Sequence, residues 1–368
     1  MDNDRMFIVT TCGTSLLSNC AEEHIKPLVF KYANARRPED VPDVHRIELK
    51  ELSLNASSML ESAGPGEAKR LSAELNALMA IYGAQPAGMA DVHLLIGTDT
   101  WLGNIALSLI EQWLKSFDPS FIVIPLQVSG LQTADHVAFQ DAASELAKNM
   151  EEILPGYKDS GYKVLFNLTG GFKAILAMLN SLAPLYADEV VYIFETSKEP
   201  IHIPRLPMSL DENVVIGNIE ALRRLRLGLP VKKKAVKDVP ESLLFRLDGD
   251  VTLSAWGKAF VERCLDRIYR QRLWPAPSRK IRFSEQFRKD VRELSRDRIK
   301  IINQRMDDLA RFLEKGENIS SLSFKQLKGD PVSGATHEFY AWSDQDAKRC
   351  FGRFDGKVFD ILCLGDHL

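Results

Sequence analysis

The 368-residue chain has no uncharged apolar stretch of membrane-spanning length, which excludes a transmembrane helix. It opens with Asp2, Asn3 and Asp4, where a secretory leader would carry a basic region and a hydrophobic core, so a cytoplasmic protein is expected. Cysteine is sparse: Cys12, Cys20, Cys264, Cys350 and Cys363 are scattered without C-x-x-C spacing, which suggests neither a disulfide framework nor a zinc site. The glycine turns described below match neither G-x-G-x-x-G nor G-x-x-x-x-G-K-[ST], so a dinucleotide cofactor and a P-loop hydrolase both lose ground. No cofactor or metal is expected. The net charge of -3 argues neither for nor against nucleic acid, although basic residues crowd the last quarter.

What is present is a chain long enough for two or three domains, 45% hydrophobic, with ample material for a core. Up to about residue 205, the apolar runs Met6 to Val9, Val92 to Ile96, Phe121 to Pro125, Val164 to Phe166 and Val190 to Phe194 alternate with helix-like segments. Those segments are Glu67 to Tyr82, Leu102 to Leu114, Ala142 to Leu154 and Phe172 to Leu185. Such alternation predicts an α/β domain, a parallel sheet with helices on both faces. Pro200, Pro204 and Pro207 then mark a boundary.

Three strand ends carry turns with the composition of an anion site. Asn167-Leu168-Thr169-Gly170-Gly171-Phe172-Lys173 reads as strand end, glycine turn and helix start, with helical N–H groups and the Lys173 charge facing a ligand. Thr10-Thr11-Cys12-Gly13-Thr14-Ser15 and Gly97-Thr98-Asp99-Thr100 close two further strands. In a parallel sheet these carboxyl-end turns converge on one crevice. Cys12 is either a nucleophile or, more simply, a small residue filling a tight loop.

The first two turns resemble the signature turns of the CARF domain, the CRISPR-associated Rossmann-like sensor of cyclic oligoadenylates. Ser72-Ala73-Glu74-Leu75-Asn76-Ala77-Leu78 is similar to a further segment of one CARF subgroup. The resemblance spans roughly residues 1–205. It implies a homodimer binding its cyclic ligand across the two-fold axis through Thr10, Thr11, Cys12, Gly13, Thr14, Ser15, Asn167, Thr169, Gly170, Gly171 and Lys173, with Thr98 and Asp99 lining the crevice. Family habit favours cyclic tetra-adenylate as the activator. Slow cleavage of that activator by the same domain is a further expectation, because hydroxyls and Lys173 would surround a phosphodiester.

Residues 206–277 combine a helical pattern at Ile219 to Leu227, the run Lys232-Lys233-Lys234, a hairpin signal at Asp248-Gly249 and a capped helix from Ser254. This predicts a small winged-helix-like module, read as a connector in preference to a DNA binder. Residues 278–368 read as a short strand ending at the N-cap candidate Ser284, then a long amphipathic pattern forming one helix or a helical hairpin. Four alternating segments follow, Leu322 to Leu327, His337 to Trp342, Arg349 to Phe354 and Val358 to Leu364.

That element order, with a basic face and few paired carboxylates, resembles the RelE fold of ribosome-dependent mRNA interferases. Its cues are Leu327-Lys328-Gly329, Lys348 to Phe354 and Ile361 to His367. The resemblance implies a metal-independent RNase that cuts mRNA in the ribosomal A site, with translating ribosome and mRNA as partners. Arg349 takes the position of the family's phosphate-binding arginine, and His367 falls near the site of its terminal arginine or histidine. Lys325, Lys328, His337 and Arg353 are further candidates for phosphate or proton work, and Tyr340 for stacking on a base. The family's lysine pair is replaced by Tyr340-Ala341-Trp342, which leaves the general base open. A ribosome-independent RNase and a ligand-responsive transcription regulator are the alternatives.

Overall fold

The computed structural model describes residues 5–82, 90–130, 136–194, 197, 199–247, 249–328, 332–344 and 346–366. It is a mixed α/β structure in two compact units, Met1–Met208 and Ser209–Leu368. In the first unit β1 (Met6–Thr11), β2 (Val92–Gly97), β3 (Ile122–Gln127), β4 (Lys163–Asn167), β5 (Glu189–Tyr192) and β6 (Ile201–Pro204) form one sheet, ordered β3-β2-β1-β4-β5-β6. The first five strands are parallel. Phe7, Ile8, Val9, Leu94, Leu95 and Phe166 are fully buried, as expected of central strands covered on both faces. Strand order reverses beside β1, which pairs with β2 on one side and β4 on the other; this is the switch point where such sheets open a crevice.

The proline-punctuated stretch read as a boundary lies at the end of the first unit, Met208, and it also contains β6, which pairs antiparallel with β5 along the sheet edge. Pro204 is tolerated because it ends an edge strand. The pattern Glu67 to Tyr82 is two helices, Pro65–Leu71 and Ala73–Tyr82, broken at the extended residue Ser72, whose hydroxyl accepts the N–H of Leu75. The 20-residue helix Asp43–Ser62, absent from the sequence reading, packs Leu49, Leu52, Ala56 and Leu60 into the core.

In the second unit the helices Glu212–Gly217 and Ile219–Arg226 precede an antiparallel hairpin of β7 (Leu244–Leu247) and β8 (Asp250–Leu253). Gly249 turns it at φ 91°; Asp248, the other expected turn residue, lies outside the described residues. Ser254 then caps the helix Ala255–Ile268 by accepting the N–H of Gly257 at 3.0 Å.

The remaining strands are β9 (Ile281–Phe283), β10 (Lys325–Gln326), β11 (His337–Trp342), β12 (Lys348–Asp355) and β13 (Val358–Asp366), ordered β10-β11-β12-β13-β9. Only β9 runs parallel to its neighbour, β13. The amphipathic stretch between β9 and β10 is a pair of helices, Glu285–Arg292 and Arg296–Lys315, capped by Ser284 and Ser295. Phe287, Ile302, Met306 and Leu309 from this pair meet Phe339, Cys350, Phe359 and Ile361 from the sheet. Arg223, fully buried, joins the helix Ile219–Arg226 to Asp307 on the helix Arg296–Lys315.

Candidate functional site

In the first unit, β1 and β4 end side by side and their glycine turns touch. A Cβ on Gly13 would lie 3.0 Å from the Cα of Gly171, and Gly171 itself adopts φ 104°. Thr11 reinforces the contact by donating its hydroxyl to the carbonyl of Gly170 at 2.5 Å. Behind both turns sits Glu74, with no exposed surface. Its carboxylate accepts the N–H of Gly13 at 2.8 Å and the hydroxyls of Ser15 and Ser72 at 2.5 and 2.6 Å. It also occupies the space a side chain at 170 would need, 2.3 Å from a Cβ built there. Glycine at 170 is therefore required by packing.

The helices leaving these turns begin without a side-chain cap: neither Thr14 before Ser15–Cys20 nor Phe172 before Lys173–Tyr186 supplies one. Their first N–H groups remain available to an anion. Lys173 is exposed at the second helix start, and no carboxylate pairs with it among the described residues. The third turn is different. Thr100 caps the helix Trp101–Phe117 by accepting the N–H of Gly103, Thr98 bonds Thr100 at 2.9 Å, and Asp99 accepts the N–H of Gly130 at 3.1 Å. Thr98 and Asp99 thus shape the loop by binding protein groups.

Several other expected ligand residues are engaged internally. Asn167 donates to the carbonyl of Glu74 and accepts the N–H of Thr169, whose hydroxyl accepts the N–H of Ile193. Thr10 is buried. Cys12 is 1% exposed, and burial, helped by the nearby Glu74 charge, pushes its thiol well above the usual range. It packs the loop and carries no nucleophilic thiolate. The N–H of Gly13, expected to face the ligand, is spent on Glu74. In the sequence Glu74 shows only as a lone carboxylate inside the apolar helical run Ala73 to Met79.

In the second unit, registers sort the candidates onto two faces of the sheet. Tyr340 opposes Arg349, Glu338 opposes Phe351 and Lys325 opposes Glu338, so these residues share one face, and strand alternation adds Arg353. Arg349 is 2% exposed, its guanidinium 3.5 Å from the Tyr340 ring centre, with Nε and Nη1 lacking a hydrogen-bond partner. Lys325 pairs with Glu338 at 2.9 Å. Lys328 is exposed just beyond β10. His337 is not brought to Arg349. It faces the helix side, stacked on Phe324 and edge-on to Phe354 and Phe359, and burial lowers its pKa. His367 lies outside the described residues. An irregularity between Tyr340 and Trp342 turns both Ala341 and Trp342 into the core, so of that trio only Tyr340 faces Arg349.

Comparison with known proteins adds one functional clue. Residues 69–206 match the model of a family described as CRISPR-associated protein (Cas_APE2256). The matched segment holds Glu74 and the whole β4 turn, and it supports a CRISPR-related role. The crystal structure of protein VC1899 from Vibrio cholerae is similar at 8% identity over 94% of this chain and 76% of that one, with a TM-score of 0.23. No curated protein matches the chain. Among the described residues no helix is long and apolar enough to cross a membrane, and no cluster of His, Cys, Asp or Glu could hold a metal ion.

Proposed function

We propose that the chain is a CRISPR-associated effector whose first unit binds a cyclic oligoadenylate at the β1–β4 crevice, which activates the second unit to cleave mRNA. One observation carries this reading: two uncapped helix starts, one bearing Lys173, meet at the switch point of a unit whose residues 69–206 match a CRISPR-associated family. Phosphates of a cyclic tetra-adenylate would sit against the N–H groups after Thr14 and Phe172, with Lys173 as counter-charge. A homodimer would present two such crevices across its two-fold axis.

For the second unit, the support is Arg349, a buried guanidinium over the Tyr340 ring whose Nε and Nη1 have no hydrogen-bond partner among the described residues. In the proposed reaction the 2′-oxygen attacks the adjacent phosphorus and the bond to the 5′-oxygen breaks, leaving a 2′,3′-cyclic phosphate and a 5′-hydroxyl. Arg349 neutralises the charge that builds on the phosphate. His367 is the proposed proton donor or acceptor. The ribosomal A site is the proposed place of cutting, and free RNA is the alternative substrate. Slow cleavage of the activator would fall to Thr14 and Lys173, since Thr11 and Ser15 already donate to Gly170 and Glu74.

A second reading, a ligand-responsive DNA-binding regulator, is favoured by the helix–helix–hairpin–helix order of residues 212–268. Equilibrium binding of labelled cyclic tetra-adenylate tests the first step. Lys173→Ala should weaken it by about 10- to 100-fold, the worth of a charge-assisted contact. Unchanged affinity would move the pocket elsewhere, and tight ligand-dependent binding to duplex DNA without RNA cleavage would favour the regulator.

A further inference from the structure

Three clefts on the second unit share lining residues. The largest, about 770 Å³, is lined by the helix Ile219–Arg226, the segment around Lys232 and the chain leading into β9. A second, about 240 Å³, shares Glu220, Pro275, Ser278 and Arg279 with it; a third, about 280 Å³, shares Arg288 with the second. Six exposed cations line these clefts without an ion-pair partner among the described residues: Lys232, Lys234, Arg272, Arg279, Arg288 and Arg292.

Opposing charge is scarce. Of the three carboxylates in the largest cleft, Glu314 is held by Arg224 at 2.7 and 2.8 Å, leaving Glu220 and Asp238; the third cleft has none. Two of the arginines are steadied by aromatic faces, Arg288 at 5.2 Å from the ring centre of Phe283 and Arg272 at 4.0 Å from that of Trp274. A guanidinium held this way keeps its N–H donors at the rim and loses less freedom when it binds.

We infer that these clefts form a track for the phosphate backbone of single-stranded RNA. Unpaired cations along adjoining clefts are what a polyanion requires, and contacts of this kind carry no sequence preference. A stiff duplex cannot descend into clefts of this size, whereas a flexible strand follows them. The choice of RNA rests on the RNA-cleaving reading above. The track lies apart from Arg349, which lines none of the three clefts.

The test is fluorescence anisotropy of the full chain with a labelled, unstructured 2′-O-methyl RNA of about 20 nucleotides, long enough to cross several cationic contacts yet resistant to attack by its own 2′-oxygen. Affinity is followed across a salt series. Arg279→Gln/Arg288→Gln/Arg292→Gln should lower the slope of log affinity against log salt by about 2, roughly 0.7 per lost phosphate contact, and weaken binding ~10-fold or more. Lys50→Gln/Arg70→Gln, in the first unit, should change neither value. An unaltered slope in the triple variant overturns the track, as does equally tight binding of duplex DNA with the same loss of slope. RNA binding through the track without ligand-dependent cleavage of either free or ribosome-bound message would remove the nuclease reading and leave the track; cleavage with an unaltered slope would do the reverse.

Discussion

The carboxylate of Glu74 accepts the backbone N–H of Gly13 and lies 2.3 Å from where the Cβ of any residue replacing Gly170 would sit. One buried side chain thereby fixes the β1 turn by hydrogen bonding and the β4 turn by exclusion. Glu74→Ala would leave the Gly13 N–H and the Ser15 and Ser72 hydroxyls without their acceptor. We expect about 3 kcal/mol of lost stability, read by thermal or urea unfolding, together with weakened ligand binding. Gly170→Ala should destabilise as well, and combining it with Glu74→Ala should cost less than the sum of the two single changes. Additive costs would mean that the contact does not constrain the turns.

Near the start of β2, His93 is fully buried against Tyr82, and burial lowers its pKa to about 3. The unfolded chain takes up this proton near pH 6.5, the folded one only near 3, so His93 favours folding above 6.5 and that contribution fades as pH falls between the two. Unfolding free energy should therefore drop by about 1.4 kcal/mol per pH unit more in the wild type than in His93→Gln between pH 6 and 4. Asp91, whose pKa burial raises, is present in both proteins, so the comparison isolates His93. Equal slopes would show that His93 is protonated in the folded state.

In the second unit Asp307 accepts from Arg223 at 2.8 Å and from the Tyr269 hydroxyl at 2.5 Å, and it also pairs with Arg226. Asp307 and Arg223 are 1% and 0% exposed. Asp307→Ala would strand the Arg223 guanidinium in a dry interior, whereas Arg226 keeps Glu262, and should cost about 3–5 kcal/mol. Because this pair ties the helix Ile219–Arg226 to Arg296–Lys315, thermal melting should show residues 209–368 losing structure together at a lower temperature. An unshifted melt would show that the pair is dispensable.

Tyr340 supports the Arg349 guanidinium through its ring and not its hydroxyl. Tyr340→Phe should therefore keep RNA cleavage near wild type, while Tyr340→Ala should lower it about tenfold or more, an interaction of ~1–2 kcal/mol once desolvated. Equal losses in both variants would assign the role to the hydroxyl.

The sheet of the first unit was legible because buried parallel strands write themselves as short apolar runs, and the turns after β1, β2 and β4 carry glycines and hydroxyls at each strand end. β6 was hidden by the prolines around it, since edge position, which sequence does not reveal, is what permits Pro204. The turns after β1 and β4 meet, as their places at the ends of neighbouring parallel strands imply. Thr98, Asp99, Asn167 and Thr169 read as ligand groups yet spend their polar atoms on the loops themselves. Sequence shows which groups reach a turn and not which of them face one another. The same limit applies to the second unit, where His337 and Arg349 share a sheet but not a face, a separation set by strand register and an irregularity at Tyr340–Trp342.

The central claim joins a ligand crevice in one unit to RNA cleavage in the other, and a toeprint of cleavage on a translating mRNA, with and without cyclic tetra-adenylate, addresses both. Cuts should appear only with ligand and on ribosome-bound message; Arg349→Ala should abolish them, and Lys173→Ala should raise the ligand concentration they need by about 10- to 100-fold. Ligand-independent cuts, or no cuts from a protein that binds the ligand, would contradict the account.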